Sequence, residues 1–329
     1  MIDRRSLLAL AGATAASPAL AQGAAPEAAQ KDGKPAASLL EIQPIWPGKA
    51  PGGEKVTAKE QVILRTPGGD PNDTAFLHIN DPVLMMRRPK NPNGAAILMI
   101  PGGGYVRVAV SKAGGAIDQW IADQGVTAFV MTYRLPADGW AAGPDVALQD
   151  AQRAIRIIRS RAGELGLDPE RVGVMGFSAG GHLAGRLSTQ FKRQTYAPID
   201  AIDTLSTRPS VAGLFYPVVT MQPPFAHGGS LKELLGADAS EARRKAISLE
   251  LDVPADTPPT FIATAADDKV VPADNSLLLY SALRKAGVPS ELHMFEKGGH
   301  GFGLTGPKGL DMSWPQLLPP FLRRHGLYT

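Results

Sequence analysis

The chain contains no cysteine, which removes disulfides, thiolate metal sites and cysteine nucleophiles together and leaves packing as the stabilising term. It also lacks a charge excess: 34 Lys and Arg stand against 31 Asp and Glu, giving a formal charge of only +3. The basic residues are scattered rather than clustered, so there is no electrostatic case for nucleic acid or an anionic membrane as partner. No histidine and carboxylate cluster has metal-ligand spacing, and no metal or other cofactor is expected. Beyond the first twenty residues no apolar run approaches the length of a membrane span, so a mature protein without membrane insertion is expected. Internal repeats are absent as well. At 329 residues and 44% apolar content, the chain can bury a substantial core.

The order of the chain follows from composition. Met1-Ile-Asp-Arg4-Arg5, an alanine-rich apolar run and then Ala19-Leu20-Ala21 predict a removable export signal over residues 1–21. The paired arginines resemble a twin-arginine signal; an ordinary secretory signal is the alternative, and both imply a periplasmic or secreted protein. Residues 22–40 are rich in Ala, Pro, Gly and Lys and lack apolar periodicity, the pattern of a flexible leader. From residue 41 to 329 the composition is that of one domain.

Within it, short apolar runs alternate with amphipathic segments, the pattern of parallel βαβ units. Strands are expected at Ala95–Ile100, Val126–Met131, Val172–Phe177, Val211–Val219, Thr260–Thr264 and Glu291–Phe295. Val62–Thr66 and Pro82–Arg87 have no helical segment between them, which suggests an antiparallel pair at the sheet's edge. Helices are expected over 111–124, 145–162, 275–286 and 312–324, the last interrupted by Pro315, Pro319 and Pro320. In the second, Ala147, Ala151, Ala154, Ile155 and Ile158 share one face, with Gln149, Gln152, Arg153, Arg156 and Arg159 on the other. Between about 221 and 258 the alternation lapses into two short helices, which suggests a small insertion over the site.

The chemistry centres on Gly176-Phe-Ser178-Ala-Gly180. A strand running straight into a helix crowds the backbone on both sides of the serine, and the glycines relieve that clash and expose the hydroxyl. Ser178 then needs a base, and the base needs an acid to orient it. In such a sheet the partners sit on loops after later strands, acid first and histidine last. His300, in Gly298-Gly-His-Gly-Phe302, follows the last strand. Asp267 and Asp268 both follow the strand before it. Asp268 is the choice because Asp268-Lys-Val-Val-Pro272 resembles the Asp-x-x-Val-Pro turn that carries the acid in related hydrolases, and Asp267 remains the alternative. An oxyanion needs backbone donors. Those expected are the amides of Ala179, at the helix start, and of Gly103 and Gly104, in Pro101-Gly-Gly-Gly-Tyr105 directly after a central strand. Tyr105 and His227 are candidates for substrate contact. His182 is expected to pack beneath the elbow, and His78, His293 and His325 to be structural or surface residues.

With these motifs, the chain resembles the α/β-hydrolase superfamily, and within it the carbohydrate-esterase-like group of acetylxylan and feruloyl esterase relatives. Ile45-Trp-Pro-Gly-Lys-Ala-Pro-Gly52, Thr132-Tyr-Arg-Leu135, Gly181-His-Leu-Ala184 and Asp256-Thr-Pro-Pro-Thr-Phe261 extend the resemblance over nearly all of 41–329. It implies a single α/β domain with a mostly parallel sheet between helices. It also implies a serine esterase that cuts short acyl groups, often acetyl, from sugar hydroxyls of a small or oligosaccharide substrate. Pro101 stands where lipase-like relatives carry histidine, which leaves a backbone oxyanion hole intact. Three rivals are a general short-chain carboxylesterase, a peptidase-like serine hydrolase and a non-catalytic binding protein on the same fold. The peptidase type usually carries a second large domain, for which there is no room. Glycoside cleavage needs two facing carboxylates, and the set found here is one for acyl transfer.

Overall fold

The computed structural model describes residues 41–65, 68, 73–110 and 115–328. The predicted export signal and leader lie outside the described residues. The strands, in chain order, are β1 (Glu41–Pro44), β2 (Gln61–Leu64), β3 (Thr74–Leu77), β4 (Val83–Arg87), β5 (Ala96–Ile100), β6 (Thr127–Met131), β7 (Val172–Phe177), β8 (Ala212–Phe215), β9 (Thr260–Ala265) and β10 (Ser290–Phe295). The principal helices are α1 (Ala116–Asp123), α2 (Val146–Ser160), α3 (Ala179–Thr189), α4 (Gly228–Leu235), α5 (Glu241–Ala246), α6 (Asp274–Lys285) and α7 (Trp314–Arg324).

Eight of these strands form one sheet in the order β1-β4-β6-β5-β7-β8-β9-β10. From β6 to β10 every pairing is parallel, and β4 and β1 complete the edge in antiparallel register. The inner strands β5, β6 and β7 are apolar along their length and buried throughout, as strands covered by helices on both faces must be. After β5 the chain moves to β6 on one side, and from β7 onward it proceeds on the other. The order therefore reverses between β5 and β7. Ligands bind in such a crevice, beyond the carboxyl ends of the two strands. Those ends carry the glycine loop and Ser178.

Three features of the structure go beyond the sequence pattern. Gln61–Leu64 is not at the main sheet's edge: β2 pairs with β3 in a separate two-stranded ribbon, and the edge is built by β1 and β4. The polar face of α2 is not left to solvent. Gln149, Gln152, Arg153 and Arg159 are buried, because the segment 193–208 lies over them. Gln149 and Gln152 donate to the Thr195 and Arg193 carbonyls at 2.7 Å, Arg153 pairs with Asp200 and Asp203, and Arg159 donates to the carbonyls of Ser206 and Arg208. Long polar side chains thus satisfy an irregular segment that has no strand partner of its own. Finally, α7 runs through Pro319 and Pro320 without a break. Buried Trp314, Leu318, Phe321 and Leu322 anchor it, and packing outweighs the amides lost at the prolines.

One buried knot explains two of the motifs. Arg134 and Asp150 are fully buried and paired at 2.8 Å, and Trp46 Nε1 donates to the same carboxylate at 2.7 Å. The guanidinium lies against the rings of Trp46 and Trp140, and donates to the Pro51 carbonyl at 2.7 Å. The stretch Ile45–Gly52 is thereby tied to the end of β6.

Candidate active site

The elbow after β7 is a tight point of the backbone. Ser178 has φ 56° and ψ −120°, a strained conformation for any residue with a side chain. A Cβ on Gly176 would come within 2.3 Å of the Gly180 carbonyl, and one on Gly180 within 2.2 Å of the Ile100 carbonyl. Both glycines are therefore demanded by close approach. The turn is pinned from the neighbouring strand's end, where Ser178 N donates to Phe215 O at 3.0 Å and Val218 N to Ser178 O at 3.1 Å.

The fold brings Ser178, His300 and Asp268 into one line. Ser178 Oγ lies 2.8 Å from His300 Nε2, and His300 Nδ1 lies 2.7 Å from Asp268 Oδ2. Because an ionised carboxylate only accepts, the imidazole carries its proton on Nδ1, which leaves Nε2 to accept the serine hydroxyl. The Asp268 side chain is wholly buried. Burial works to raise its pKa, but the hydrogen bond and charge of His300 and the amides of Val271 and Val270 outweigh it, so the carboxyl is held below its ordinary value. Those two amides donate to Oδ1 at 3.0 and 2.8 Å. The neighbouring Asp267 has a different partner. Its Oδ1 accepts from Gly299 N at 2.8 Å and so holds the loop that carries His300.

Gly102, Gly103 and Gly104 line the same cavity as Ser178. At Gly102 a Cβ would meet Phe177 O at 2.8 Å and Ser178 Cβ at 3.1 Å, so only glycine lets this loop press against the serine. Gly103 has φ 138°, and a Cβ there would fall 2.0 Å from Arg107 O. Ala179 is buried at the first position of α3, where its amide has no acceptor within the helix.

Tyr105 is not where expectation put it. It is 1% exposed, with φ 62°, and its hydroxyl donates to His182 Nδ1 at 2.8 Å beneath the elbow, out of reach of a ligand. His182 Nε2 donates to Ile247 O at 2.7 Å, and burial pushes its pKa down to about 3, so it stays neutral. His227 does line the cavity, as the residue just before α4 in the insertion. Its Nδ1 accepts from Ser230 N at 3.1 Å, which leaves the proton on Nε2. Burial, reinforced by His300, holds its pKa below the ordinary histidine value. Sequence reasoning missed Tyr216, which also lines the cavity. The only sign of it was its place directly after β8. Its ring meets His300 edge-on at 4.9 Å and its hydroxyl donates to Phe302 O at 3.0 Å, fixing the imidazole's plane from one side. Arg65, Arg107, Ala109, Phe177, Val270 and Gly301 complete the wall of a cavity of about 280 Å³. Among the described residues no cluster could hold a metal ion, and no helix is long and apolar enough to cross a membrane.

A serine on a strained elbow at the reversal point of a mostly parallel sheet, in reach of an imidazole backed by a carboxylate, defines the serine-hydrolase class of α/β-hydrolases. Within that class the chain belongs to the BD-FAE family, which matches residues 84–283. It is 34% identical over 224 residues to an acetylxylan esterase of Xylanibacter ruminicola, a match covering 65% of this chain and 42% of that protein. The chain thus spans less than half the length of that curated relative. Among solved structures it is similar to an acetyl ester-xyloside bifunctional hydrolase from Caldicellulosiruptor lactoaceticus. The TM-score is 0.71 at 33% identity, over 88% of this chain and 97% of the other. An esterase from Thermogutta terrifontis, Est2, matches with a TM-score of 0.62 at 27% identity, over 76% and 89% of the two chains.

Proposed function

We propose that this protein is a serine esterase that removes short acyl groups, acetyl foremost, from carbohydrate hydroxyls such as those of acetylated xylan. The observation that carries this reading is the unbroken line from Ser178 through His300 to Asp268, at 2.8 and 2.7 Å, in the wall of a cavity of about 280 Å³. That volume suits a small acyl group and a single sugar ring better than a long acyl chain. The acetylxylan esterase and the acetyl ester hydrolase among its relatives support the substrate class.

In this mechanism Ser178 Oγ attacks the ester carbonyl carbon while His300 Nε2 takes the hydroxyl proton. Asp268 holds Nδ1–H and stabilises the imidazolium. The negative charge formed on the carbonyl oxygen is met by the amides of Gly103, Gly104 and Ala179. As the C–O bond breaks, His300 returns its proton to the departing sugar oxygen. An acyl-Ser178 remains, and water deprotonated by the same imidazole releases the acid and restores the serine.

Xyloside hydrolysis, named for the Caldicellulosiruptor protein, calls for two carboxylates facing each other across the bond. Among the described residues no Asp or Glu lines this cavity, so ester cleavage is the activity assigned. Export rests on residues 1–21: a periplasmic or secreted protein is proposed, and replacing Arg4 and Arg5 by lysine should leave the protein in the cytoplasm if the twin-arginine route is used.

The experiment is acetate release from acetylated xylo-oligosaccharides by the wild type and by Ser178→Ala. Release that disappears in the variant is the expected result. Release that persists in it would remove Ser178 from the chemistry.

A further inference from the structure

Two arginines line the cavity that holds Ser178, and the mechanism above uses neither. Arg107 belongs to the turn that the glycine loop begins: its amide and that of Val106 donate to Gly103 O, both at 3.2 Å. Its side-chain stem lies along the same glycine, where an added Cβ would come within 3.2 Å of Arg107 Cγ. Among the described residues its guanidinium has no ion-pair or hydrogen-bond partner. Arg65 reaches the cavity from the end of β2. Its Nη1 pairs with Asp73 Oδ1 at 3.0 Å, while its Nε is shielded from solvent and has no acceptor among the described residues.

Among the described residues nothing in the wall answers these charges. No Asp or Glu is among the lining residues, and the nearby Asp268 has its oxygens taken by His300, Val270 and Val271. A guanidinium with free donors matches a planar carboxylate, which it can grip through two parallel hydrogen bonds. A neutral acetylated sugar offers no such group. We propose that the preferred ester carries a carboxylate within about one sugar ring of the scissile bond, gripped by Arg107 and Arg65. This inference rests on the esterase reading and adds an acidic substrate class to it. The carboxylate could belong to an acidic sugar beside the acylated ring or to the acyl group itself, and the two sources are separable by experiment.

The test compares kcat/KM for three soluble esters: an acetylated neutral xylo-oligosaccharide, the same oligosaccharide with a glucuronic acid substituent beside the acetylated ring, and a monosuccinylated xyloside. Each is measured with the wild type, Arg107→Gln and Arg65→Gln. In the wild type one acidic ester should exceed the neutral one by about tenfold at low salt, as expected for a charge-assisted bidentate contact. Raising the salt to about 0.5 M should shrink that ratio. Arg107→Gln should bring it most of the way to one, and Arg65→Gln should lower it as well. The acidic ester that wins identifies the side of the bond bearing the carboxylate. A wild-type ratio near one for both acidic esters overturns the inference, as does a preference that survives both substitutions. If Arg65→Gln fails to fold, Arg107→Gln decides alone. Should the wild type cleave none of the three esters, the esterase reading itself falls, a result distinct from cleavage without acidic preference.

Discussion

The three side chains at the site differ in what each can lose. Ser178→Ala removes the atom that forms the bond and His300→Ala the base within hydrogen-bond distance of it, so each should lower turnover by about three to six orders of magnitude with the fold intact. Asp268→Asn should cost nearly as much, because an amide at Oδ2 could offer N–H to Nδ1 and favour the wrong tautomer. Asp267 instead accepts from the Gly299 amide. Its Asn variant should lose no more than about tenfold in activity, since the carbonyl oxygen still accepts. Steady-state kinetics on a small acetyl ester, with circular dichroism of each variant, checks all four. The choice between the adjacent aspartates was legible in the sequence only through Asp268-Lys-Val-Val-Pro272. Their separate partners, an imidazole and a loop amide, come from residues about thirty positions away.

At the scale of the elbow and α3, close approach governs. Gly180→Ala would place a methyl 2.2 Å from Ile100 O and 2.3 Å from Pro101 O, both backbone, so β5 and α3 must part. A loss on the order of 2–4 kcal/mol is expected, together with most of the activity. Gly228, at the start of α4, has nothing within 4 Å of such a methyl, and its alanine variant should leave stability unchanged or raise it by a few tenths of a kcal/mol. Thermal unfolding of the pair separates packing from glycine flexibility. Beneath the elbow, His182 has a folded pKa pushed down to about 3 by burial. Below an ordinary histidine pKa of about 6.5 the unfolded chain binds a proton that the folded one does not, so stability is lost as pH falls from there toward 3. The slope from this group approaches about 1.4 kcal/mol per pH unit. Urea unfolding of wild type and His182→Gln should converge as pH falls from 7 to 4.5, and parallel curves would remove His182 from the acid limb. The glycines of the elbow were legible because spacing alone demands them. Tyr105 was not: the loop placed it beside the site, and its left-handed backbone and bond to His182 turn it underneath.

For the molecule as a whole, the sheet's reversal between β5 and β7 sets the site, and the knot around Arg134 ties the first part of the domain to it. Arg134→Met would strand the Asp150 carboxylate in the core with only Trp46 and a backbone amide as donors, at a cost of about 3–5 kcal/mol. The midpoint of denaturant unfolding checks this. The inner strands were legible from sequence as short apolar runs bounded by glycine, and the order of serine, acid and histidine followed from the sheet they form. The ribbon of β2 and β3 was not legible, because edge strands share their alternating pattern with any antiparallel pair. Nor were Arg65 and Arg107, which meet at the cavity only after β2 and the glycine loop are folded together. The central claim is that the fold makes Ser178 a nucleophile. Treating the protein with diisopropyl fluorophosphate and mapping the adduct by mass spectrometry tests it most directly. One phosphoryl group on Ser178, loss of esterase activity in step with labelling, and little labelling of His300→Ala are the predicted results. An active enzyme left unlabelled at Ser178, or inactivated by a label on another residue, would contradict it.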